Sequence, residues 1–407
     1  MNERIGAGVR FAALASILVS GCDTGPSTLA SPRGGGTTAT TPASALAALE
    51  QPAAMTVDVA QFRGGPARTG RMVGPAPSRT PELRWTYVAG GPVRTAPAIG
   101  FGLVFIGSDD GTLQAIDEAT GALVWRTDLG REPTSPAIAG EVVIDGSVSG
   151  HVLAVDARTG RPTWDVDLGA PVRGAPAVVD EGIVIAVSDG TVVLLDPSSG
   201  ARRWTSVLDG RITRSPAVAD GRVVVPLDPG AVAAVDLGTG SLDWTTRIVE
   251  RGGVGSPATD AGIVVTGLGL GGGLEGDHGV AGLDLGSGEI RWRYRSPVGR
   301  EVLTPALFDG RAFAIGLDGI VLAIDAVTGK PVWTRQLDEA LEALPAISGG
   351  LLVIAGNNGH LRALDIADGT DRWSVPIEGV PYAPSVAQGI VIVPTDTGTV
   401  YAFGAPQ

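Results

Sequence analysis

The sequence predicts an all-β fold, an eight-bladed β-propeller built from four-stranded blades. A motif of Asp, three residues, Gly, three residues and Trp recurs, with successive Trp residues 39 to 48 positions apart. A period near 40 with four short strands per unit is typical of propellers. The 61 Gly and 29 Pro residues favour short strands joined by tight turns, since both weaken helix interiors. The motif occurs at Asp117-Gly121-Trp125, Asp156-Gly160-Trp164, Asp196-Gly200-Trp204, Asp236-Gly240-Trp244, Asp284-Gly288-Trp292, Asp325-Gly329-Trp333 and Asp365-Gly369-Trp373.

Each repeat unit is predicted to contain four strands. The inner strand follows a proline, and the second strand is apolar without alternation, as in LVFIG at 103–107. That pattern fits a strand buried on both faces between stacked blades. A turn leads to the third strand, and the Asp-to-Gly turn leads to the outer strand, which carries the Trp. Eight prolines mark inner strands and predict eight blades: Pro97, Pro136, Pro176, Pro216, Pro257, Pro305, Pro345 and Pro384.

The ends of the chain predict how the ring closes. The unit that begins at Pro384 stops before any Trp strand, whereas ELRWTYVA at 82–89 carries Trp85 without inner strands of its own. We therefore predict that this N-terminal strand completes the last blade. Closure of this kind pairs strand edges that would otherwise be exposed.

The repeated motif residues are predicted to be architectural. An Asp side chain can accept backbone N–H groups just after it and set a turn, and a Gly can supply the positive φ that closes the turn. A Trp can fill the gap between blades while its N–H finds a carbonyl. A catalytic constellation would occur once, so seven copies indicate a scaffold.

The N-terminus contains a predicted targeting segment. Arg4 and Arg10 precede an apolar stretch, 11–19, that is short for a membrane span and is followed by Ser20-Gly21-Cys22. This arrangement resembles a bacterial lipoprotein signal peptide, which implies that residues 1–21 are removed and that Cys22 is lipidated. Acyl chains on Cys22 would then anchor the protein to a membrane. An ordinary secretory signal with a chance cysteine is the alternative.

Composition bounds the rest of the chain. Residues 22–60 are rich in Pro, Gly, Ser, Thr and Ala and predict a flexible tether, which leaves 61–407 for the propeller. Because Cys22 is the only cysteine, no disulfide can form within one chain. A formal net charge of -13 repels phosphate backbones, so we expect no nucleic-acid partner.

The repeat frame Ala-x-Asp-x-x-Thr-Gly-x-x-x-Trp, as in AIDEATGALVW at 115–125, resembles the PQQ-like repeat. The resemblance covers about 61–403, and QFRGGPARTG at 61–70 is similar to a segment that often precedes the first blade in such bacterial proteins. It points to two subfamilies. Lipoproteins resembling the B subunit of the outer-membrane β-barrel assembly machinery bind a protein partner without catalysis. Quinoprotein alcohol dehydrogenases bind pyrroloquinoline quinone and calcium.

The dehydrogenase resemblance makes demands that this chain does not meet. It implies a vicinal disulfide, a Trp beneath the quinone, a calcium site and a catalytic Asp, yet Cys22 is the only cysteine and all 8 Trp occupy repeat positions. We therefore expect no cofactor and no catalysis. A periplasmic quinoprotein dehydrogenase, or another cofactor- or ligand-binding propeller, remains the alternative. The turn carboxylates Asp109, Asp110, Asp189, Asp228 and Asp318 lack a recognisable set of partners.

Residues that differ between units are the candidate site. The loops before the inner strands and the turns between second and third strands should share one face. Positive residues there could form a ring around the channel mouth that binds an anionic peptide or glycan, or they could pair with Glu132, Glu250, Glu301, Glu339 and Glu342. The predicted partner-binding rim comprises Arg94, Arg131, Arg173, Arg214, Arg251, Arg300, His151 and His360.

The longest repeat interval contains an insertion, GLGLGGGLEGDHGVAG at 267–282. Asp277 and His278 within it are added to the predicted rim. One carboxylate and one imidazole are too few for a metal site, so a mobile loop is the simpler interpretation.

These patterns, together with the resemblance, imply a non-catalytic, monomeric scaffold at the bacterial cell envelope. It would be lipid-anchored, with the propeller in the periplasm or outside the cytoplasmic membrane, and would bind an envelope protein. Outer-membrane protein assembly is one role that the resemblance implies.

Overall fold

The computed structural model describes residues 57–271, 277–296 and 301–406. In this part of the chain the strands form eight antiparallel blades, so the predicted eight-bladed β-propeller is confirmed. The predicted signal peptide, Cys22 and most of the predicted tether lie outside the described residues. No helix among the described residues is long and apolar enough to cross a membrane.

The inner strands are three residues long and begin just after the prolines that predict them. Seven of the eight begin with the alanine next to the proline, because a small side chain lets eight strands converge around one channel. They are β3 (Ala98–Gly100), β7 (Ala137–Ala139), β11 (Ala177–Val179), β15 (Ala217–Ala219), β20 (Ala258–Asp260), β24 (Ala306–Phe308), β28 (Ala346–Ser348) and β32 (Ser385–Ala387).

The second and third strands form the buried layer of each blade. In Leu103–Ser108 every side chain is buried, as its continuous apolar run predicts. The second strands are β4 (Leu103–Ser108), β8 (Val142–Gly146), β12 (Gly182–Ala186), β16 (Arg222–Leu227), β21 (Ile263–Leu270), β25 (Arg311–Ile315), β29 (Leu351–Gly356) and β33 (Ile390–Pro394). The third strands are β5 (Thr112–Asp117), β9 (His151–Asp156), β13 (Thr191–Leu195), β17 (Ala231–Asp236), β22 (Gly279–Asp284), β26 (Ile320–Asp325), β30 (His360–Asp365) and β34 (Thr399–Gly404).

The outer strands alternate between exposed and buried side chains, since only one side of each packs on a neighbouring blade. Seven follow the motif turns: β6 (Leu123–Asp128), β10 (Pro162–Asp167), β14 (Arg202–Val207), β18 (Leu242–Arg247), β23 (Ile290–Arg295), β27 (Pro331–Gln336) and β31 (Asp371–Pro376). The eighth is β2 (Glu82–Val88), which pairs antiparallel with β34, with Trp85 opposite Ala402. The predicted closure of the last blade by the N-terminal strand is therefore confirmed.

The motif residues link each blade to the next. Trp125 donates its indole N–H to the carbonyl oxygen of Ala157 in the following blade, at 2.9 Å. Gly160 of that blade has a φ of +68°, and a Cβ there would lie 2.6 Å from the Trp125 ring. Glycine therefore both closes the turn and leaves room for the indole. The equivalent bonds join Trp85 to Glu118, Trp164 to Pro197, Trp204 to Leu237, Trp244 to Leu285, Trp292 to Ala326, Trp333 to Ile366 and Trp373 to Pro77.

The motif Asp residues set their turns through their carboxylates. Asp117 accepts the backbone N–H of Thr120 at 2.8 Å and its hydroxyl at 2.6 Å. These hydrogen bonds favour the ionised form and lower the pKa of Asp117. Its place in a turn, rather than in the channel, supports the architectural role predicted for the motif.

A segment without a counterpart in the repeats, residues 57–76, contacts the inner strands of the blades in order around the channel. We call it the belt. It contains β1 (Val57–Val59), which pairs with β3, and a 3-10 turn, Phe62–Gly64. The inner strands are edge strands, and the belt accepts N–H groups from that edge. The bonds run from Ile138 to Ala60, Val218 to Pro66, Thr259 to Ala67, Leu307 to Thr69 and Ile347 to Gly70, at 2.6 to 2.9 Å.

The insertion in the fifth blade is more regular than the sequence predicts. Of the predicted loop 267–282, the first four residues extend β21 and the last four begin β22. An additional short strand, β19 (Gly253–Val254), pairs with the extended end of β21. The expectation of a loop across all of 267–282 is wrong at both ends, because the apolar residues Leu268 and Val280 continue the buried strand pattern.

Candidate functional site at the rim of the channel

Two sets of loops form one face of the propeller, which we call the rim face. It contains the connections that precede the inner strands and the turns between second and third strands, as the sequence predicts. Backbone hydrogen bonds join the two sets: Asp109 donates to Pro92 at 2.8 Å, and Val148 donates to Arg131 at 3.2 Å. The motif turns and the turns after the inner strands form the opposite face, the turn face, where Glu118 donates to Gly102 at 2.9 Å.

A cavity of about 300 Å³ opens at the centre of the rim face. Every blade contributes lining residues, most of them from the two or three positions before an inner strand. Arg94, Arg173 and Arg214 all line it, as do Thr134 and Ser215. We call this space the axial cavity. Three of the predicted rim arginines are thus brought together around one opening.

The three cavity arginines differ in their partners. Arg94 pairs with Asp109 and donates to the hydroxyl of Tyr382 at 3.1 Å. Arg173 lies 3.9 Å from Glu132, at the limit of an ion pair. Within the described residues Arg214 makes no ion pair. The alternative that glutamates neutralise the rim therefore applies weakly to Arg173 and not to Arg214.

The other predicted rim residues lie away from the axial cavity. Arg131 and Arg251 are exposed on the rim face but do not line the cavity, and Arg300 lies outside the described residues. His151 begins β9 and contacts Asp165 at 3.0 Å, and this contact raises its pKa. His360 begins β30 and contacts Asn358 at 3.0 Å. Both histidines belong to third strands, so they are farther from the channel than the arginines.

Asp277 and His278 are separated by their environments. Asp277 is half-exposed and pairs with Arg295 at 3.2 Å. His278 is buried, with its ring packed against Gly269. Among the residues that the structure describes, no group of three or more His, Cys, Asp or Glu side chains could hold a metal ion.

The floor of the axial cavity comes from the belt, which sequence reasoning did not include in the site. Phe62 lines the cavity from below, and the guanidinium of Arg68 lies 5.4 Å from the centre of its ring. Arg63 and Arg68 are both buried, at 2% and 0% exposure. Both also have left-handed backbone, with φ of 59° and 57°, a strain that persists only where surrounding contacts impose it.

Carbonyl oxygens, rather than carboxylates, surround the two buried guanidinium groups. Arg68 donates to Phe62, Ala175, Pro176 and Pro216 at 2.7 to 3.0 Å. Arg63 donates to its belt neighbour Arg68 and to Thr304 and Pro305, at 2.5 to 3.3 Å. Burial lowers the pKa of each arginine to about 9, so both remain charged at neutral pH. In the sequence, the one indication of this buried pair was the QFRGGPARTG segment itself, which has no strand or helix periodicity.

A buried acid supports one wall of the cavity. Asp145 is fully buried on β8 and accepts the hydroxyl of Thr134, a lining residue, at 2.5 Å. Burial raises the pKa of Asp145 well above its usual value, despite this hydrogen bond and one from the Gly146 backbone. The raised pKa means that burial favours the neutral form of this carboxyl group.

In comparisons with known proteins, a family model and a curated relative carry the same description. A family model described as outer membrane protein assembly factor BamB matches residues 77–171, 148–301 and 276–405. The protein of that name from Xanthomonas campestris is 33% identical over 106 residues, which are 24% of this chain and 24% of that protein. The chain therefore aligns with about a quarter of the length of that curated relative.

Solved structures share the fold. BamB from Moraxella catarrhalis superposes with a TM-score of 0.64 at 18% identity, over 80% of this chain and 100% of that one. Quinohemoprotein alcohol dehydrogenase from Comamonas testosteroni gives 0.65 at 15% identity, over 86% of this chain and 82% of that one. At these identities the likeness concerns the fold alone, so it does not extend quinone chemistry to this chain.

Proposed function

This chain belongs to the outer membrane protein assembly factor BamB family, and on that premise we propose that it is a non-catalytic, lipid-anchored scaffold of the bacterial cell envelope. In this proposal it takes part in outer-membrane protein assembly by holding an envelope protein on its rim face. The family match along the propeller is the observation that carries the proposal.

The two faces differ in how far their residues repeat between blades, and this difference supports the rim face as the binding surface. Motif residues on the turn face repeat from blade to blade and serve the scaffold, whereas the rim loops differ, which is where specificity arises. Arginine is favoured at interface centres because its planar group makes several directed hydrogen bonds. Arg94, Arg173 and Arg214 converge on the centre of this face.

The path of the belt is compatible with the rim face as the binding surface. Val57 pairs with Gly100, at the end of β3 next to the turn face, and β1 runs antiparallel to β3 into the channel. The chain therefore enters the propeller from the turn face. This entry point lies on the face opposite the proposed binding surface, the rim face.

Charge reversal of the rim tests the binding surface. Arg94→Glu, Arg173→Glu and Arg214→Glu together should leave the fold intact, because all three side chains reach solvent. The triple variant should weaken capture of the native partner, with a larger loss at low salt, where surface charges are least screened. The measurement is affinity capture from cross-linked envelopes, with partner yield compared between variant and parent.

A matched reversal on the turn face is the control. Arg158→Glu, Arg202→Glu and Lys330→Glu make the same change in net charge in and beside the motif turns. This control should capture the partner as the parent does. Loss of capture in the control, with normal capture by the rim variant, would place the interface on the turn face.

The lipid anchor has its own test. Cys22→Ser should move the protein from the membrane fraction to the soluble fraction, since acyl chains would supply the attachment. Fractionation after cell lysis, followed by immunoblotting, measures the change. Retention of the variant in membranes after a salt wash would mean that another contact holds the protein there.

A further inference from the structure

The axial cavity presents hydrogen-bond donors that the protein itself leaves unused. The hydroxyl oxygens of Ser135, Ser215 and Ser256 accept backbone N–H groups at 2.9 to 3.1 Å. Each hydroxyl proton is therefore left to donate, and within the described residues none of the three has a protein acceptor. All three side chains line the cavity. A ligand rich in acceptors would satisfy them.

Positive charge surrounds the same space from above and below. Arg214 lines the cavity without an ion pair among the described residues, and Arg173 has only the distant Glu132. Beneath the floor, the buried guanidinium groups of Arg63 and Arg68 donate to carbonyls of the lining residues Thr304 and Ala175. Protein walls of low dielectric focus such charge into a cleft. This local positive charge contrasts with the formal net charge of the whole protein, which is -13.

The belt makes the axial cavity a blind pocket. Phe62 lines its base, and the belt binds the inner strands around the channel below it. A ligand would therefore enter and leave by the rim face. The volume of about 300 Å³ is at the lower end of small-ligand pockets.

We propose that the axial cavity binds a compact ligand with two or more carboxylates, held by Arg173 and Arg214 and by the serine hydroxyls. Planar guanidinium groups match carboxylates through paired N–H donors, and neutral hydroxyl donors can complete the shell. A free polycarboxylate and the acidic C-terminus of a peptide share this chemistry. Glu342, which also lines the pocket, disfavours a ligand that fills it with negative charge on every side.

Calorimetric titration of the full-length protein in a non-ionic detergent tests the proposal. The probes are citrate, inorganic phosphate and an acetylated tetrapeptide that ends in Asp-Glu with a free carboxylate. Citrate or the peptide should bind with a Kd below about 1 mM, and more weakly at high salt. Binding of citrate alone would identify a free small molecule, and binding of the peptide alone would identify a chain terminus.

Two arginine variants connect the binding to the cavity. Arg214→Gln removes a lining charge and should raise the Kd roughly tenfold or more, the typical effect of losing a charged hydrogen bond. Arg131→Gln removes an exposed rim charge outside the cavity and should bind as the parent does. Both side chains are exposed, and a thermal melt of each variant verifies folding.

Two results would overturn the proposal. One is the absence of binding by citrate and by the peptide in the folded parent, whether or not phosphate binds. The other is an equal effect of the Arg214 and Arg131 variants. Because the titration contains no partner protein, its failure is separate from failure of the rim interface in the capture experiment.

Discussion

Deletion of the chain through Thr86 should abolish cooperative unfolding of the propeller. The deletion removes the belt and most of β2, so it exposes the edge of β34 and empties the channel. It also removes Trp85, which packs against Gly121 of the first blade and donates to Glu118 at 2.8 Å. Loss of such a buried Trp costs about 3–5 kcal/mol by itself. Thermal unfolding followed by near-ultraviolet circular dichroism measures the loss.

A shorter deletion is the control for the first prediction. Removal of residues 2–56 keeps the belt, which includes β1, and keeps β2. This shorter variant should unfold at the temperature of the parent. If deletion through Thr86 also unfolds cooperatively at that temperature, the N-terminal strand is not needed to close the ring. If the longer deletion aggregates and the shorter one does not, exposed strand edges explain the difference.

The fold could be predicted from the sequence because its determinants are local and repeated. Each motif places its Asp, Gly and Trp within nine residues, and each inner strand follows a proline, so the blade boundaries are visible without any long-range information. Ring closure was predictable because Trp85 was the one Trp outside the motif. The extended strands around the insertion were missed because glycines interrupt the apolar pattern of 267–271.

The belt could not be predicted in the same way. Its hydrogen bonds reach inner strands more than 200 residues away, and no period in the sequence records such contacts. Two arginines in a short Gly-rich stretch also favour a solvated loop, because arginine is rarely fully buried without partners. The partners of Arg63 and Arg68 are backbone carbonyls. Because every residue has a backbone carbonyl, the sequence does not indicate which ones will accept these hydrogen bonds.

The candidate site was partly predictable, and the distance to the inner-strand proline explains which part. Arg94, Arg173 and Arg214 stand two or three residues before their prolines and line the axial cavity. Arg131 and Arg251 stand five and six residues before theirs and do not line it. Because an extended chain advances about 3.3 Å per residue, the longer spacing moves these two side chains away from the axis.

Arg68→Met should be the most destabilising single substitution in the belt. Arg68 is fully buried, and its guanidinium donates to four carbonyls, which come from the belt and from the third and fourth blades. Methionine fills most of the volume but leaves these acceptors without a donor. Removal of the burial cost of one charge offsets part of the loss. We expect a net decrease of roughly 3–5 kcal/mol in the free energy of unfolding.

Two further substitutions separate the hydrogen bonds from the charge and from the position in the belt. Arg68→Lys keeps the charge but places all its donors on one nitrogen, so it should recover only part of the stability. Arg71→Met removes a belt arginine whose side chain is 48% exposed and pairs with Asp260 at 3.3 Å. An exposed pair of this kind contributes little, so this control should change stability by less than about 1 kcal/mol. Urea denaturation measures all three variants. Equal losses for Arg68→Met and Arg71→Met would mean that the hydrogen bonds from Arg68 to its four carbonyl acceptors do not hold the belt in the channel.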